Sequence, residues 1–472
     1  MDYARWIWML LYGLLIVGTM VTVVMDNRQP AKTLAWLLVL TFLPVLGFIL
    51  YIFFGQNYRK EKLINQRSLD QLTERQMLAF VEQRDLQLPE PQRRLIQLFA
   101  NQSMALPFQN NRADIYTRGS EYFTALLQAI GEARHHIHLS TYIIAADDIG
   151  NSIADALIEK ARQGVIVRLV YDDVGCWLVP NRFFRRMQQA GVDAQAFMPV
   201  HFPALTGKIN YRNHRKLCII DGTTAFIGGM NIADRYVSQW RDTHLRLQGP
   251  IVYAIQRAFL VDWHFVSQRL IDGPEYYPPI SADTPPAHSP MLAQLVTSSP
   301  ISPWPDIMQG YVRILLEAKD YVYMETPYFL PTEPILFAMR TAALAGVDVR
   351  LMLPRHSDAI LVEWASISYV KQAIEAGVQV YLYQDGFNHS KLLVSDDSLC
   401  TCGSTNIDFR SFENNFESNI FFYDRPMAQR MKKVFLEDMS HCTLANATQR
   451  RSRSPFLRRL WESILRLFSP LL

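Results

Sequence analysis

The stretch of sequence that decides the fold occurs twice, as HRKLCIID at residues 214–221 and as HSKLLVSD at residues 389–396. Both copies have the form H-x-K-x-x-x-x-D with identical spacing. Side chains two positions apart on a β-strand lie on the same face, so each copy would hold its histidine beside its lysine. A single His-x-Lys pair is common on ordinary edge strands. Two equally spaced copies instead indicate a duplicated domain in which both copies serve one site.

Histidine and lysine at this spacing suit chemistry on a phosphoryl group. A neutral imidazole can attack phosphorus, and a fixed ammonium can stabilise the anionic oxygens. The aspartate lies five residues beyond the lysine and so on the opposite strand face, where bracing of the local structure is the simpler role. The candidate catalytic residues are His214, Lys216 and Asp221 in the first copy and His389, Lys391 and Asp396 in the second.

Each motif is followed by the same kind of segment, IGGMNIADRY at 227–236 and CGSTNIDFRS at 402–411. Small residues let the backbone approach a phosphate closely, and an asparagine can donate hydrogen bonds to its oxygens. The predicted phosphate-binding residues are Gly229, Asn231, Ser404 and Asn406.

A carboxylate follows each histidine at the same distance in sequence. Asp242 lies 28 residues after His214, and Glu417 lies 28 residues after His389. A carboxylate can orient an imidazole through its second nitrogen, so we expect Asp242 and Glu417 to orient the histidines, each within its own copy. The alternative is a pair of unrelated surface acids.

The segments around the motifs are also self-similar. ARQGVIVRLVYDD at 161–173 resembles ALAGVDVRLMLPR at 343–355, and QAGVDAQAFMP at 189–199 resembles EAGVQVYLYQD at 375–385. Short β-rich runs alternate with amphipathic helical stretches throughout. This pattern predicts the α/β class, with duplicated α/β/α domains whose mainly parallel sheets pack together. The predicted elements are strands at 136–144, 165–171 and 347–353, a segment at 317–323 that leads into a further strand, and helices at 152–163 and 333–344.

Two apolar runs precede this body, at residues 6–25 and 34–54. Each has the roughly 20 residues needed to cross a bilayer, which predicts a two-helix transmembrane hairpin. The alternatives are a cleaved signal peptide for the first run and a buried core helix for the second. The two outer flanks together hold four basic residues, at positions 5, 59, 60 and 62, against two in the short loop, at positions 28 and 32. This excess favours the cytoplasmic side for both ends of the hairpin and for the body.

The predicted organisation has six parts. They are the membrane hairpin at 1–58, a helical connector at 59–112, a first domain at 113–272, a proline-rich linker at 273–305, a second domain at 306–445 and a basic amphipathic tail at 446–472. Apolar residues at helical spacing and several arginines make the tail either an interfacial helix on anionic lipid or a terminal helix docked on the body.

The amino-acid composition limits the classes of partner and cofactor that the protein is expected to bind. The 47 basic and 44 acidic residues give a net charge of only +3, which argues against nucleic acid as partner. The five cysteines lack metal-ligand spacing and predict reduced thiols. We therefore expect neither a metal nor another cofactor.

The paired motifs resemble those of the phospholipase D superfamily. Within it, TLAWLLVLTFLPVLGFILYIFFG at 33–55, TPYFLP at 326–331 and NIDFRSFENNFE at 406–417 are similar to the bacterial cardiolipin synthases. The segment HLSTYII at 138–144 departs from the family pattern, in which an acidic residue often stands. The resemblance implies a multi-pass protein of the bacterial inner membrane with phospholipid substrates, in particular phosphatidylglycerol.

The resemblance also implies a metal-free phosphatidyl transfer in two steps through a phosphohistidine. By analogy His214 is the nucleophile and His389 the acid and base, although the repeat symmetry permits the reverse. An unperturbed histidine titrates near pH 6.5, so such a pair could hold one neutral and one protonated ring. Other hypotheses are a different donor or acceptor (phosphatidylethanolamine, water or another alcohol), a nucleic-acid phosphodiesterase, and a non-enzymatic membrane scaffold.

Overall fold

The computed structural model describes residues 2–25, 30–51, 55, 92–200, 210–279, 291–445, 465, 466 and 469. Two compact units are distinguished along the chain. The first comprises Met1–Glu61 and Val200–Tyr211, and the second comprises Lys62–Pro199 and Arg212–Leu472, which we call the body.

The N-terminal unit contains three helices, α1 Asp2–Met25, α2 Pro30–Phe42 and α3 Pro44–Leu50. In the described part of the chain, one helical stretch, Arg5–Met25, is long and apolar enough to cross a membrane. The predicted second spanning helix is interrupted at Leu43, whose φ of −131° and ψ of 61° are not helical. Pro44 causes the break, because a proline lacks the N–H of a helical residue and restricts the residue before it. Residues 52–54 of this run lie outside the described part.

The body consists of helices and strands in two similar series. Its helices are α4 Arg93–Ser103, α5 Gly119–Glu132, α6 Asp148–Arg162, α7 Asn181–Gln189, α8 Asp234–Ser238, α9 Ile251–Ser267, α10 Asp306–Glu317, α11 Glu333–Leu344, α12 Ile360–Glu375, α13 Phe409–Glu413 and α14 Arg425–Met439.

The strands up to residue 248 are β1 Pro107–Phe108, β2 Arg112–Tyr116, β3 His136–Thr141, β4 Ile166–Asp172, β5 Asp193–Phe197, β6 Arg212–Asn213, β7 Leu217–Ile220, β8 Thr224–Gly228, β9 Trp240–Arg241 and β10 His244–Gln248. The later strands are β11 Ala293–Ser298, β12 Tyr321–Glu325, β13 Phe329–Leu330, β14 Asp348–Pro354, β15 Gln379–Tyr383, β16 Phe387–Asn388, β17 Leu392–Ser395, β18 Leu399–Gly403, β19 Ile407–Asp408, β20 Asn415–Phe422 and β21 Cys442–Leu444.

The two principal sheets have the same topology, which confirms the duplication. The first sheet has the order β2-β10-β8-β7-β3-β4-β5, and the second contains the order β11-β20-β18-β17-β12-β14-β15. Gly164 and Gly346 occupy equivalent turns after α6 and α11, with φ of 88° and 95°. Such left-handed backbone favours glycine, which explains why this residue recurs in both copies.

The sheets are mixed rather than mainly parallel, which corrects that part of the prediction. In the first sheet only β3, β4 and β5 run parallel, and the strands from β7 onward pair antiparallel. Residues Asp221–Thr223 connect β7 directly to β8. So short a connection can join only antiparallel neighbours, whereas a parallel pair needs a crossover.

Parts of the predicted connector and linker belong to the second half. β11 lies within the predicted linker and pairs with β20, because the prolines of that linker flank residues 291–298 without entering them. Helix α4 lies within the predicted connector, and the ring of Phe99 lies 4.7 Å from that of Phe421 in the second core. Residues 56–91 and 280–290 lie outside the described part.

The motif aspartates brace the fold and do not reach the other motif side chains. The carboxylate of Asp221 accepts hydrogen bonds from the backbone N–H groups of residues 134, 135 and 136, at 2.8, 2.8 and 2.9 Å. Asp396 accepts equivalent bonds from residues 319, 320 and 321. Each aspartate therefore fixes the start of a central strand, and its inclusion among the catalytic candidates is corrected.

We expect Asp221→Ala and Asp396→Ala each to destabilise the protein by roughly 1–3 kcal/mol, because three backbone donors lose their acceptor. Asp221 has a φ of 51° and Asp396 a φ of 49°, which asparagine tolerates better than alanine. The matched Asp→Asn variants should therefore lose less of the free energy of unfolding than the Asp→Ala variants. Denaturant unfolding of the detergent-solubilised protein, followed by tryptophan fluorescence, measures both, and alanine variants as stable as the parent would contradict the bracing role.

Candidate active site

The segment before each motif histidine pairs with a strand of the opposite half. β6 pairs with the start of β20, and β16 pairs with β9. The His214 N–H donates to the Phe416 carbonyl at 2.9 Å, and the His389 N–H donates to the Arg241 carbonyl at 2.6 Å. Phe416 directly precedes Glu417, and Arg241 directly precedes Asp242. The backbone of each histidine is therefore bonded next to a carboxylate of the opposite half.

As a result of these pairings between the halves, each histidine contacts the carboxylate of the opposite half. His214 Nδ1 lies 3.0 and 3.1 Å from the two oxygens of Glu417, and His389 Nδ1 lies 2.6 Å from Asp242 Oδ2. Both carboxylates thus contact an imidazole, but the expectation that each pairs within its own copy is wrong. The equal sequence offsets follow from the duplication, and the exchange of equivalent strands decides which histidine each carboxylate contacts.

Both lysines lie in the same cluster. Lys216 Nζ donates to the His214 carbonyl at 2.8 Å. Lys391 Nζ donates to the His389 carbonyl and lies 2.7 Å from His389 Nδ1 and 3.7 Å from Asp242 Oδ2. The two imidazoles, two ammonium groups and two carboxylates are all buried.

Burial dominates the titration of the histidines. It lowers the pKa of His214, against the attraction of Glu417, and Lys391 of the other half lowers it further. Burial and then Lys391 lower the pKa of His389 to about 3. Burial therefore opposes protonation of either ring in the free protein.

The lysines and carboxylates respond to the same burial. Burial lowers the pKa of Lys216 to about 7 and that of Lys391 to about 8. Burial alone would raise the pKa of the two carboxyls, but Lys391 and His389 outweigh it at Asp242, and His214 does so at Glu417, so that both pKa values are lowered. The free site thus combines two carboxylates with two lysines whose protonated form is destabilised by burial.

Two of the predicted phosphate-binding residues support the carboxylates instead. A Cβ added at Gly229 would stand 2.2 Å from Asp242 Oδ1, so glycine makes room for that carboxylate. The Ser404 hydroxyl donates to Glu417 Oε2. These equivalent positions hold the two acids against the histidines.

The predicted asparagines differ from each other. Asn231 accepts from the Ile143 N–H at 3.2 Å and donates to the Tyr236 hydroxyl at 2.6 Å, so its side chain braces the neighbouring loop. Asn406 is buried, and its side-chain oxygen has no hydrogen-bond partner in the described part of the chain. Its amide group donates to the Asp408 carboxylate, and a free acceptor oxygen cannot donate to a phosphate, so phosphate binding by Asn406 stays a prediction.

Several buried polar contacts at the site were not predicted from the sequence. Arg215, between His214 and Lys216, donates to the Glu417 carbonyl at 3.1 Å and to Asp262 Oδ1 at 2.5 Å. The sequence did indicate a separate role for Arg215. Side chains alternate between the two faces of a strand, so Arg215 faces away from His214 and Lys216. Glu325, at the end of β12, has its pKa raised to about 8, chiefly by burial and then by Asp438.

Among the described residues, no group of three or more His, Cys, Asp or Glu side chains is arranged to hold a metal ion.

Comparison with known proteins identifies the family. The family described as cardiolipin synthase, phospholipase D-like domain, matches residues 126–263 and 311–439, once in each half. Residues 14–56 match the family described as phospholipase D-nuclease N-terminal. The chain is 38% identical over 483 residues to the major cardiolipin synthase of Bacillus subtilis, with 98% of each chain covered. The chain belongs to the phospholipase D-like cardiolipin synthase family.

A second relative supports the same assignment. The cardiolipin synthase of Oceanobacillus iheyensis is 38% identical over 463 residues, with 95% of each chain covered. The crystal structure of phosphatidylserine synthase from Haemophilus influenzae Rd KW20 shares the fold, with a TM-score of 0.62 over 80% of this chain and 99% of that one at 13% identity. The sequence-based predictions of a cardiolipin synthase-type enzyme and of the duplicated fold are confirmed.

The crossed pairing makes a prediction for this member of the cardiolipin synthase family. A double-mutant cycle on unfolding free energy should give His214→Asn and Glu417→Gln a coupling of about 0.5–3 kcal/mol, because the side chains are in contact. The same histidine variant combined with Asp242→Asn is the matched control and should show coupling near zero. Coupling confined to residues of the same half would contradict the exchange.

Proposed function

We propose that this enzyme transfers a phosphatidyl group from one phosphatidylglycerol to another, giving cardiolipin and glycerol. The observation that supports this most is the meeting of two His-Lys pairs, each with a carboxylate from the other half, in one buried site of a cardiolipin synthase family member. A phosphodiester needs a nucleophile on one side and a proton donor on the other. Two histidines supply both.

The first step forms a covalent intermediate. Glu417 holds Nδ1 of His214, which leaves Nε2 free to attack the phosphorus of the donor lipid. The P–N bond forms as the bond from phosphorus to the glycerol headgroup oxygen breaks. His389, held by Asp242, protonates that oxygen as glycerol leaves. Lys216 and Lys391 stabilise the charge on the phosphoryl oxygens.

The second step reverses these roles. The primary hydroxyl of a second phosphatidylglycerol gives its proton to His389, and its oxygen attacks the phosphorus. The P–N bond to His214 breaks, and cardiolipin is released. Binding of the anionic phosphodiester raises the pKa of the nearby imidazoles, so that His389 takes up a proton from solvent before it acts as the acid of the first step.

Membrane placement follows the charge distribution of the sequence. We infer a bacterial inner-membrane protein with its hairpin ends and body on the cytoplasmic side, because Arg5 and residues 59, 60 and 62 add positive charge outside the apolar runs. In the tail, Leu465 is buried against Leu330 and Ala365 of the body, which favours docking over lipid at that residue.

Product analysis tests the reaction. The purified enzyme in detergent, given labelled phosphatidylglycerol, should form cardiolipin and glycerol in the presence of a chelator. His214→Ala and His389→Ala should each lose at least about 10²-fold in rate, because each removes an acid–base or nucleophilic group. Phosphatidic acid as the main product would indicate a hydrolase, and a product formed only with added phosphatidylethanolamine or another alcohol would indicate a different transferase.

The crossed contacts assign each carboxylate to a step. With His214 as nucleophile, Glu417→Gln should slow formation of the phosphoenzyme, whereas Asp242→Asn should slow protonation of the leaving glycerol. Mass spectrometry of acid-sensitive adducts after rapid quenching, with each variant alongside the parent, identifies the modified histidine. An adduct on His389 would exchange the two roles and leave the two-histidine mechanism intact, whereas normal turnover in both variants would contradict the orienting role.

A further inference from the structure

Two equivalent loops of the body expose large apolar side chains. The loop after β4 presents Trp177 and Leu178, whose exposed fractions are 59% and 99%. The connection after β14 leads into α12, whose first two residues, Ile360 and Leu361, have exposed fractions of 69% and 51%. Single exposed apolar residues are ordinary, but two sets at matching positions of a duplicated fold indicate a shared surface. We call these four residues the apolar rim.

The apolar rim lies at the edge of the sheets that holds the catalytic histidines. In the first half, Gly175 stands against Tyr142, where an added Cβ would meet the Tyr142 carbonyl oxygen at 2.2 Å. The ring of Tyr142 lies 5.1 Å from that of His214. Trp177 and Leu178 therefore lie two and three residues after Gly175, which packs against the tyrosine beside His214.

The second half repeats this arrangement. The Tyr328 hydroxyl donates to Asp358 Oδ1 at 2.8 Å, and Ile360 begins the helix two residues later. The ring of Tyr328 lies 6.4 Å from that of His389. In each half, a tyrosine whose ring lies beside a catalytic histidine contacts the segment that leads to the apolar rim, so the rim lies at the same edge of the body as the two histidines.

Exposed positive charge accompanies the apolar side chains. Arg182 and Arg185 are exposed on α7, the helix that follows the first loop, and neither has an ion-pair partner in the described part of the chain. Apolar side chains next to arginines suit the interface of a bilayer that contains anionic phospholipid.

We propose that the apolar rim inserts into an anionic lipid surface, so that the active site takes both phospholipids directly from the bilayer. The inference rests on the proposed function, because only an enzyme with membrane-resident substrates needs its entrance on the lipid surface. It extends that function by naming the residues that contact the bilayer.

Activity on two forms of the substrate tests the rim. The variants Trp177→Ser/Leu178→Ser and Ile360→Ser/Leu361→Ser of the full chain should lose about tenfold or more on long-chain phosphatidylglycerol in proteoliposomes, because apolar burial in lipid is lost. On short-chain phosphatidylglycerol dissolved as monomers they should match the parent. Ile166→Ser/Leu344→Ser is the control, since these residues are 37% and 72% exposed at the opposite, amino-terminal edge of the parallel strands.

A second measurement does not depend on turnover. Leu178→Cys in a Cys442→Ser background, labelled with an environment-sensitive fluorophore, should be quenched by spin-labelled lipid in proteoliposomes, whereas Leu344→Cys should not. The other four native cysteines are buried. Equal losses on both substrate forms, absence of quenching, or cross-linking of Leu178→Cys between two copies would overturn the proposal. Quenching without any phosphatidyl transfer by the parent would contradict the proposed function alone.

Discussion

The site depends on a short exchange of backbone between the two halves. β6 of the first half pairs with β20 of the second, and β16 of the second pairs with β9 of the first. Without these pairings, each histidine would stand at the end of its own sheet without a carboxylate. Since the acids contact the histidines of the opposite halves, neither half contains a complete His–carboxylate pair. Both halves of the duplication therefore contribute to each His–carboxylate pair.

Burial makes this arrangement reactive. The surrounding protein lowers the pKa of both histidines and both lysines, so the free site carries less positive charge than the same residues would carry in water. An anionic phosphodiester supplies the missing negative charge, and each lowered pKa then rises towards its ordinary value. The site is most positive when substrate is bound, which limits the cost of keeping several cations together in the free protein.

The sequence predicted the features that are encoded locally or by repetition. The repeated segments around the two motifs and the helix at 333–344 follow from residue type and spacing, and the structure contains them. The antiparallel hairpins were missed because alternation of apolar residues does not specify strand direction. The crossed carboxylates were missed because equal offsets of 28 residues describe both pairing within a half and exchange between halves equally well.

The two halves have diverged in ways that make their histidines chemically distinct. Ser140 of β3 and Glu325 of β12 occupy equivalent positions, opposite Leu217 and Leu392, and only the second is acidic. Arg215 of the first motif is replaced by Ser390, whose hydroxyl lies 2.9 Å from that of Thr243. The first histidine is therefore flanked by a buried guanidinium and the second by a hydroxyl and a carboxyl whose pKa is raised to about 8. A symmetric pair would offer two equivalent nucleophiles and two equivalent acids. These substitutions break that equivalence, so the two histidines stand in chemically different surroundings.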